Sequence, residues 1–230
     1  MKIVAIILAR GGSKGIPKKN MINFCGKPLV TWSIKQAKNS RYISSVWVSS
    51  DSDEILEIAK KEKVGIIKRP KKMSSDKSSS EIGWIHAINE IEKNEKIDLV
   101  IGLQPTSPIR EVKDLEKAIK KFKKNNADSM FSCSKLDDFF LWKKNNKKYL
   151  SLNYDYRNRK RRQDVKNQYL ENGSFYIFKP EIIKKIKNRL GGKIEIIEQE
   201  FWKSFEIDSI ENLKFSEIIM KNYLLKNDYD

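Results

Sequence analysis

Histidine and cysteine are nearly missing from this sequence: His86 is the only histidine, and Cys25 and Cys133 are the only cysteines. One histidine leaves little from which to build a His-based metal centre or a Ser-His triad. The two cysteines lie far apart, form no zinc-binding spacing and imply no disulfide. No apolar run is longer than Ile3 to Ala9, far short of a membrane span. The chain opens with one lysine and then a strand-like run, without the small-residue cleavage site of a signal peptide, so a cytoplasmic location is expected. The familiar nucleotide motifs are also missing. A Walker A loop fails because Ile16 follows Gly15 and Pro28 follows Gly26-Lys27. The dinucleotide fingerprint fails because Ser13 stands where its second glycine belongs.

What is present starts at the first strand. Ile3 to Leu8 reads as a fully buried strand, and it runs into Ala9-Arg10-Gly11-Gly12-Ser13-Lys14-Gly15-Ile16-Pro17-Lys18-Lys19-Asn20. Adjacent glycines permit tight backbone turns and leave amide N–H groups uncovered. Arg10, Lys14, Lys18 and Lys19 surround those amides with positive charge. A glycine-rich, cationic turn at the carboxyl end of a first strand suits a polyphosphate.

At 230 residues, with 39% hydrophobic and 33% charged residues, the chain has room for one domain, 1–230, with a real core. The net charge is +17. Lysine is scattered along helix faces and no recognised RNA- or DNA-binding module is present, which argues for a solvated basic surface around an anionic substrate rather than for nucleic acid.

Downstream, Pro28 suits the first position of a helix whose Val30, Ile34 and Ala37 form one stripe. Ser45 to Ser50 reads as a strand, and Asp51 with Glu54 as a capping box for the next helix. Val64 to Ile67 is a short third strand. Strand–helix alternation of this kind implies a mostly parallel, twisted α/β sheet with helices on both faces. Arg69 to Ser80 reads as a flexible loop or a binding loop, followed by a helix from Ser80. Asp98 to Leu103 is another buried strand, leading to the rigid Gln104-Pro105-Thr106-Ser107-Pro108 turn where an open α/β sheet places ligand contacts. Val112 to Lys124 reads as a helix and Ser129 to Ser134 as a strand. Residues 139–170 break the rhythm as an irregular insertion, rich in aromatics beside Arg157, Arg159, Lys160, Arg161 and Arg162. Such a segment could stack on RNA bases or make a subunit contact that leaves one arginine facing a substrate carboxylate. Phe175 to Phe178 and Ile194 to Ile197 are the last strand candidates, with a helix over about 181–187 between them. Glu206 and Asp208 share one face of an extended segment, where they could hold Mg²⁺ together with substrate phosphates. Asp208 could equally cap a helix running to about Leu225.

These residues resemble the acylneuraminate cytidylyltransferases, which make CMP-sialic acids and related CMP-nonulosonates. The likeness rests on ARGGSKGIPKKN at 9–20, VSSDSDEI at 48–55, LQPTSPIR at 103–110, RRQDVKNQYLENGSFYIF at 161–178 and EIDSIENL at 206–213. It implies a Rossmann-like nucleotidyltransferase fold and an Mg²⁺-dependent reaction. The anomeric hydroxyl of an acidic nine-carbon sugar attacks the α-phosphate of CTP, and pyrophosphate leaves. It implies that Arg10 and Lys19 neutralise the triphosphate, that Gly11 and Gly12 cradle it, and that Asn20 and Ser80 contact the nucleotide. Gln104 and Arg162 fall at sugar-side positions, and Asp208 at a metal ligand. The family carries Asp-x-Asp where this chain has Glu206-Ile207-Asp208, so Glu206 is one methylene longer than the pattern. The resemblance also implies a homodimer, with 139–170 as the dimerisation segment. The competing readings are a 3-deoxy-octulosonate cytidylyltransferase, against which the Leu-Gln-Pro-Thr-Ser-Pro run speaks, an RNA-binding protein using Arg157 to Arg162, and a catalytically dead homologue.

Overall fold

The computed structural model describes residues 1–75, 78–136, 139–161, 164 and 167–225. In chain order its strands and helices are β1 (Ile3–Leu8), β2 (Asn23–Phe24), β3 (Lys27–Pro28), α1 (Leu29–Lys38), β4 (Ser45–Ser50), α2 (Asp53–Lys61), β5 (Gly65–Lys68), α3 (Ser80–Glu92), β6 (Leu99–Leu103), α4 (Val112–Lys124), β7 (Ser129–Lys135), β8 (Trp142–Asn145), β9 (Lys148–Ser151), β10 (Tyr169–Phe178), α5 (Pro180–Ile186), β11 (Ile194–Gln199) and α6 (Ile210–Ile219).

Seven strands form one sheet in the order β11-β7-β10-β6-β1-β4-β5. β1 pairs parallel with β4 and β6, β4 with β5, and β11 with β7. Only β10 runs the other way, antiparallel to both β6 and β7. The alternation along β1 explains the layers. Ile3, Ala5 and Ile7 pack with Val30 and Ile34 of α1, Ile55 of α2 and Leu115, Ile119 and Phe122 of α4. Val4 and Ile6 point to the opposite face, against Trp84, Ile88 and Ile91 of α3 and Ile183 of α5. Each fully buried branched side chain here contributes about 1.5–3 kcal/mol of hydrophobic stabilisation. A third cluster, with Ile16, Phe24, Leu29, Trp32, Ile207 and Met220, fastens α6 and the glycine-rich loop to the start of α1.

The chain leaves β1 towards β4 on one side, and β6 returns on the other. That reversal opens a crevice at the carboxyl ends of β1 and β6, the place where such sheets bind ligands. Among the described residues, no helix is long and apolar enough to cross a membrane.

Several local expectations need correction. Pro28 closes the β2–β3 hairpin and stands at the N-cap of α1 with ψ 138, outside the helix rather than at its first position. Ser52, not Asp51, occupies the N-cap of α2. The last helix is capped by Ser209, whose side chain accepts from Asn212 N, so Asp208 lies outside it. The α-helix ends at Ile219 and continues as one π turn, Met220–Leu224. The strand expected from Phe175 starts earlier, at Tyr169, with a register shift between Glu171 and Tyr176. Residues 139–170 are less irregular than expected, because β8 and β9 make a separate antiparallel hairpin.

Candidate active site

The glycine-rich loop leaves β1 and closes on itself through Asn20, whose Nδ2 donates to the Arg10 carbonyl at 2.9 Å. Asn20 is buried, and its Oδ1 has no hydrogen-bond partner among the described residues. The glycines serve close approach rather than left-handed turns, since positive φ among the glycines is confined to Gly26, Gly173 and Gly192. A Cβ on Gly11 would lie 2.8 Å from the Ser52 Cβ, and one on Gly15 would strike the Asp208 carbonyl. The loop therefore packs on the end of β4 and on the distant 206–208 segment at once.

Asp51 has a different role from capping. Its Oδ1 accepts the Gly11 amide at 2.9 Å, which removes that amide from the set open to a phosphate. The space beside the Cα of Gly12 is open. Lys18 also departs from expectation. It turns to α2 and pairs with Glu54 at 2.8 Å, both side chains exposed. Lys19 turns the other way, with Nζ 2.6 Å from Asp208 Oδ1. The lysine stem is mostly covered and the carboxylate is exposed.

A cleft of about 370 Å³ opens beside this loop, lined by Arg10, Ser13, Lys19, Asn20, Arg69, Ser74, Ser80, Trp84, Gln104 and Thr106 among others. One wall comes from the segment after β5. Arg69 is buried and donates from Nε to Ser74 Oγ at 2.8 Å. Burial holds its guanidinium below the usual arginine range, although the Asp51 charge opposes this. Gly83, in the first turn of α3, makes room for it, since a Cβ there would meet Arg69 Nη1 at 2.8 Å. Ser80 is the first residue of α3, at the rim.

The opposite wall is the turn after β6. Its organiser is Arg110, 1% exposed. Nε donates to Gln36 Oε1 at 2.7 Å, and Nη2 to Ser33 Oγ at 2.6 Å and to the Gln104 carbonyl at 2.9 Å. Nη1 donates to the Ser174 carbonyl. Burial pushes this guanidinium down to about 9, with Asp114 opposing. One buried cation thus fixes both the Gln104 turn and the β10 bulge.

The acidic segment is stitched to the same turn, Ile207 N donating to the Thr106 carbonyl at 2.8 Å. Glu206 is half-buried against Gly173, which sits at φ +63 and where a Cβ would displace the Glu206 carboxylate. Burial pushes the Glu206 carboxyl above its ordinary value, and the Asp208 charge adds to this. Among the described residues no three acidic, histidine or cysteine side chains gather into a metal cage. Two neighbouring carboxylates facing a cationic loop still fit Mg²⁺, which binds through one or two carboxylates plus phosphate oxygens and water. Just upstream, Lys203 is fully buried, with Nζ 2.9 Å from oxygens of Glu111, Asp114 and Glu200.

The sequence expectations are therefore brought together in part. Arg10, Lys19, Asn20, Ser80 and Gln104 line one cleft, and Asp208 reaches it through Lys19. Glu206 lies beside Gly173, next to the Gln104 turn. Gly11 is turned to Asp51, and Arg162 lies outside the described residues. The sequence reading assigns Asp51 to a helix cap and assigns no site role to Arg69, Trp84 or Arg110. Arg69 fell within a flagged loop and Arg110 within a quoted motif, but neither burial nor partner was readable there. In the hairpin segment, Arg159 lies over the Phe140 ring at 4.3 Å and Arg157 over Tyr156 at 5.4 Å. Those rings carry their own cations, which weakens the RNA-stacking reading.

The profile of the Cytidylyltransferase family matches residues 4–228. The chain is 37% identical over 211 residues to N-acylneuraminate cytidylyltransferase A of Danio rerio, covering 90% of this chain and 48% of that protein. It is 32% identical over 240 residues to a pseudaminic acid cytidylyltransferase of Campylobacter jejuni, covering 96% of this chain and 97% of that protein. It thus spans about half the length of the fish relative and nearly all of the bacterial one. A CMP:2-keto-3-deoxy-manno-octonic acid synthetase complexed with CTP superimposes with a TM-score of 0.73 at 15% identity, covering 97% of this chain and 100% of that chain. A 4-diphosphocytidyl-2C-methyl-D-erythritol synthase from Anaerococcus prevotii gives 0.68 at 13%, covering 96% and 99%. At that identity these two establish the fold, a Rossmann-like nucleotidyltransferase architecture.

Proposed function

The chain belongs to the cytidylyltransferase family, within its acylneuraminate branch, and from that premise we propose that it couples CTP to a nonulosonic acid. The anomeric hydroxyl oxygen forms a bond to the α-phosphorus, the bond from that phosphorus to the bridging oxygen breaks, and pyrophosphate leaves. The hydroxyl proton passes to water. The observation that carries this reading is the single cleft lined by Arg10, Lys19, Asn20, Ser80 and Gln104 at the carboxyl edge of β1 and β6.

In this reading Arg10 and Lys19 neutralise the triphosphate, and their charge stabilises the leaving pyrophosphate. The open side of Gly12 lets the chain approach the phosphates. Asn20 offers its unpartnered Oδ1 to the nucleotide, and Ser80 contacts the cytidine side. Gln104 and Arg162 hold the sugar, Arg162 through its carboxylate. Asp208 and Glu206 hold Mg²⁺, which supplies charge neutralisation at the phosphates when bound. Lys19 and Asp208 keep each other paired until the nucleotide separates them.

The assembly we propose is a homodimer built through the β8–β9 hairpin. Leu141, Trp142, Tyr149, Leu150, Leu152 and Tyr156 are exposed there, an apolar surface of the kind that marks a protein contact. Light scattering at micromolar concentration should give the mass of two chains, and a clean monomer would refute it.

The test of the activity is pyrophosphate release from CTP and Mg²⁺ with N-acetylneuraminate, legionaminate, pseudaminate and 3-deoxy-octulosonate, with ATP, GTP and UTP as controls. The expected result is release with CTP and a nonulosonate. Release with 3-deoxy-octulosonate alone would move the chain to that neighbouring activity. Folded protein that does not bind CTP would overturn the reading.

A further inference from the structure

Arg189 belongs to the loop between α5 and β11 and does not line the cleft, yet it reaches beneath the cleft floor. Its guanidinium carbon lies 4.1 Å from the Tyr176 ring centroid and 5.2 Å from that of Trp84. Nη1 donates to Glu81 and, at 3.3 Å, to Ser80 Oγ. Nη2 is 3.9 Å from Glu171 Oε1, which also accepts the Tyr176 hydroxyl at 2.5 Å. Glu81 and Arg189 are both largely covered, with side chains 16% and 19% exposed. Trp84 is itself a wall of the cleft, and it fills the space left by Gly102 of β6.

We propose that Arg189 is a positioning residue for the nucleotide side of the cleft, holding Ser80 and cancelling the charge of Glu81 while tying α3 to the start of β10. This rests on the reading that the cleft binds a nucleoside triphosphate. The chemistry asks for arginine. A flat guanidinium covers two rings while Nη1 donates to two acceptors and Nη2 faces the Glu171 carboxylate, which a lysine ammonium cannot do at once. The electrostatic part is as specific. Glu81 follows Ser80 directly, so without Arg189 its carboxylate stands uncompensated at the rim of a site for a highly charged anion.

The experiment is steady-state kinetics, with CTP affinity by calorimetry, on Arg189→Met, Glu81→Gln and the pair. Arg189→Met should raise the KM for CTP about tenfold, the factor that corresponds to one misplaced charge worth about 1.4 kcal/mol. Its kcat and its KM for the sugar should change far less. Adding Glu81→Gln to Arg189→Met should recover most of the CTP affinity, which a purely structural loss would not do. Glu81→Gln alone should bind CTP at least as tightly as the native chain, and that arm stands even where Arg189→Met does not fold. Native protein that binds CTP, with an Arg189→Met variant of unchanged CTP affinity or a Glu81→Gln variant of weakened affinity, overturns the proposal alone. Native protein that binds no CTP overturns the nucleotide reading beneath it.

Discussion

Replacing Lys203 by methionine keeps most of the stem's volume and deletes the ammonium. In the native chain that ammonium is wholly buried and lies 2.9 Å from oxygens of Glu111, Asp114 and Glu200. Glu200 and Glu111 can rehydrate, since their side chains are 54% and 29% exposed. Asp114 cannot, with 7% exposed, so the substitution strands one buried carboxylate. Breaking a buried pair in this way costs about 3–5 kcal/mol. For a chain of this size that is a fall in Tm of about 6–20 °C, at roughly 2–4 °C per kcal/mol. Lys203→Met with Asp114→Asn should recover a large part, because the neutral amide still offers an acceptor to Glu111 N, which Asp114 now holds at 2.8 Å.

The pH dependence has a definite sign. Burial pushes Lys203 down, but its carboxylate hydrogen bonds outweigh this and leave it above its ordinary value. Its contribution is thus complete below the unfolded lysine value of about 10.4 and lost only as pH rises through the folded one. For Glu111 and Glu200, burial raises the carboxyl, but lysine hydrogen bonds outweigh it and hold both below the ordinary range. Their contribution is present above the unfolded value of about 4.3 and lost as pH falls through the folded values. The Tm gap between native and Lys203→Met protein should therefore be widest near neutrality and close in acid. Scanning calorimetry from acid to neutral pH reads it. A gap under about 3 °C at pH 7, or a double variant no better than the single, would refute the reasoning.

Asp208→Ala should abolish turnover and Glu206→Ala only weaken it, since Asp208 pairs directly with Lys19 at 2.6 Å; full activity in Asp208→Ala at saturating Mg²⁺ would remove the metal role. Lys19→Ala should lower kcat/KM by about 100-fold or more, the scale of a lost transition-state charge contact. Gly173→Ala combines a left-handed φ of +63 with a clash on Glu206. It should destabilise the fold by at least about 1–2 kcal/mol and depress activity more than stability, as paired melting and rate measurements would show.

The legible parts of this molecule are those where one local signal decided the outcome. β1 is apolar without interruption, and Val112 to Lys124 forms the expected helix end to end. The antiparallel course of β10 was hidden because its first three residues are exposed and a bulge interrupts the ladder before the apolar run. Asp51 satisfied a local capping rule, yet the amide it takes belongs to Gly11, forty residues away. Lys18 and Lys19 are adjacent in sequence, and the left-handed turn at Lys18 sends them to opposite partners. Arg110 and Lys203 carry no periodic signal at all. A buried cation is defined by acceptors from distant elements, and only the fold assembles them.

The most direct measurement uses a nonulosonic acid labelled with ¹⁸O at its anomeric hydroxyl, incubated with CTP, Mg²⁺ and the protein, followed by mass spectrometry of the products. Attack by that hydroxyl on the α-phosphorus predicts a CMP-sugar that keeps the label and an unlabelled pyrophosphate. No CMP-sugar from any acid of the class, or a CMP-sugar without the label, would contradict the account.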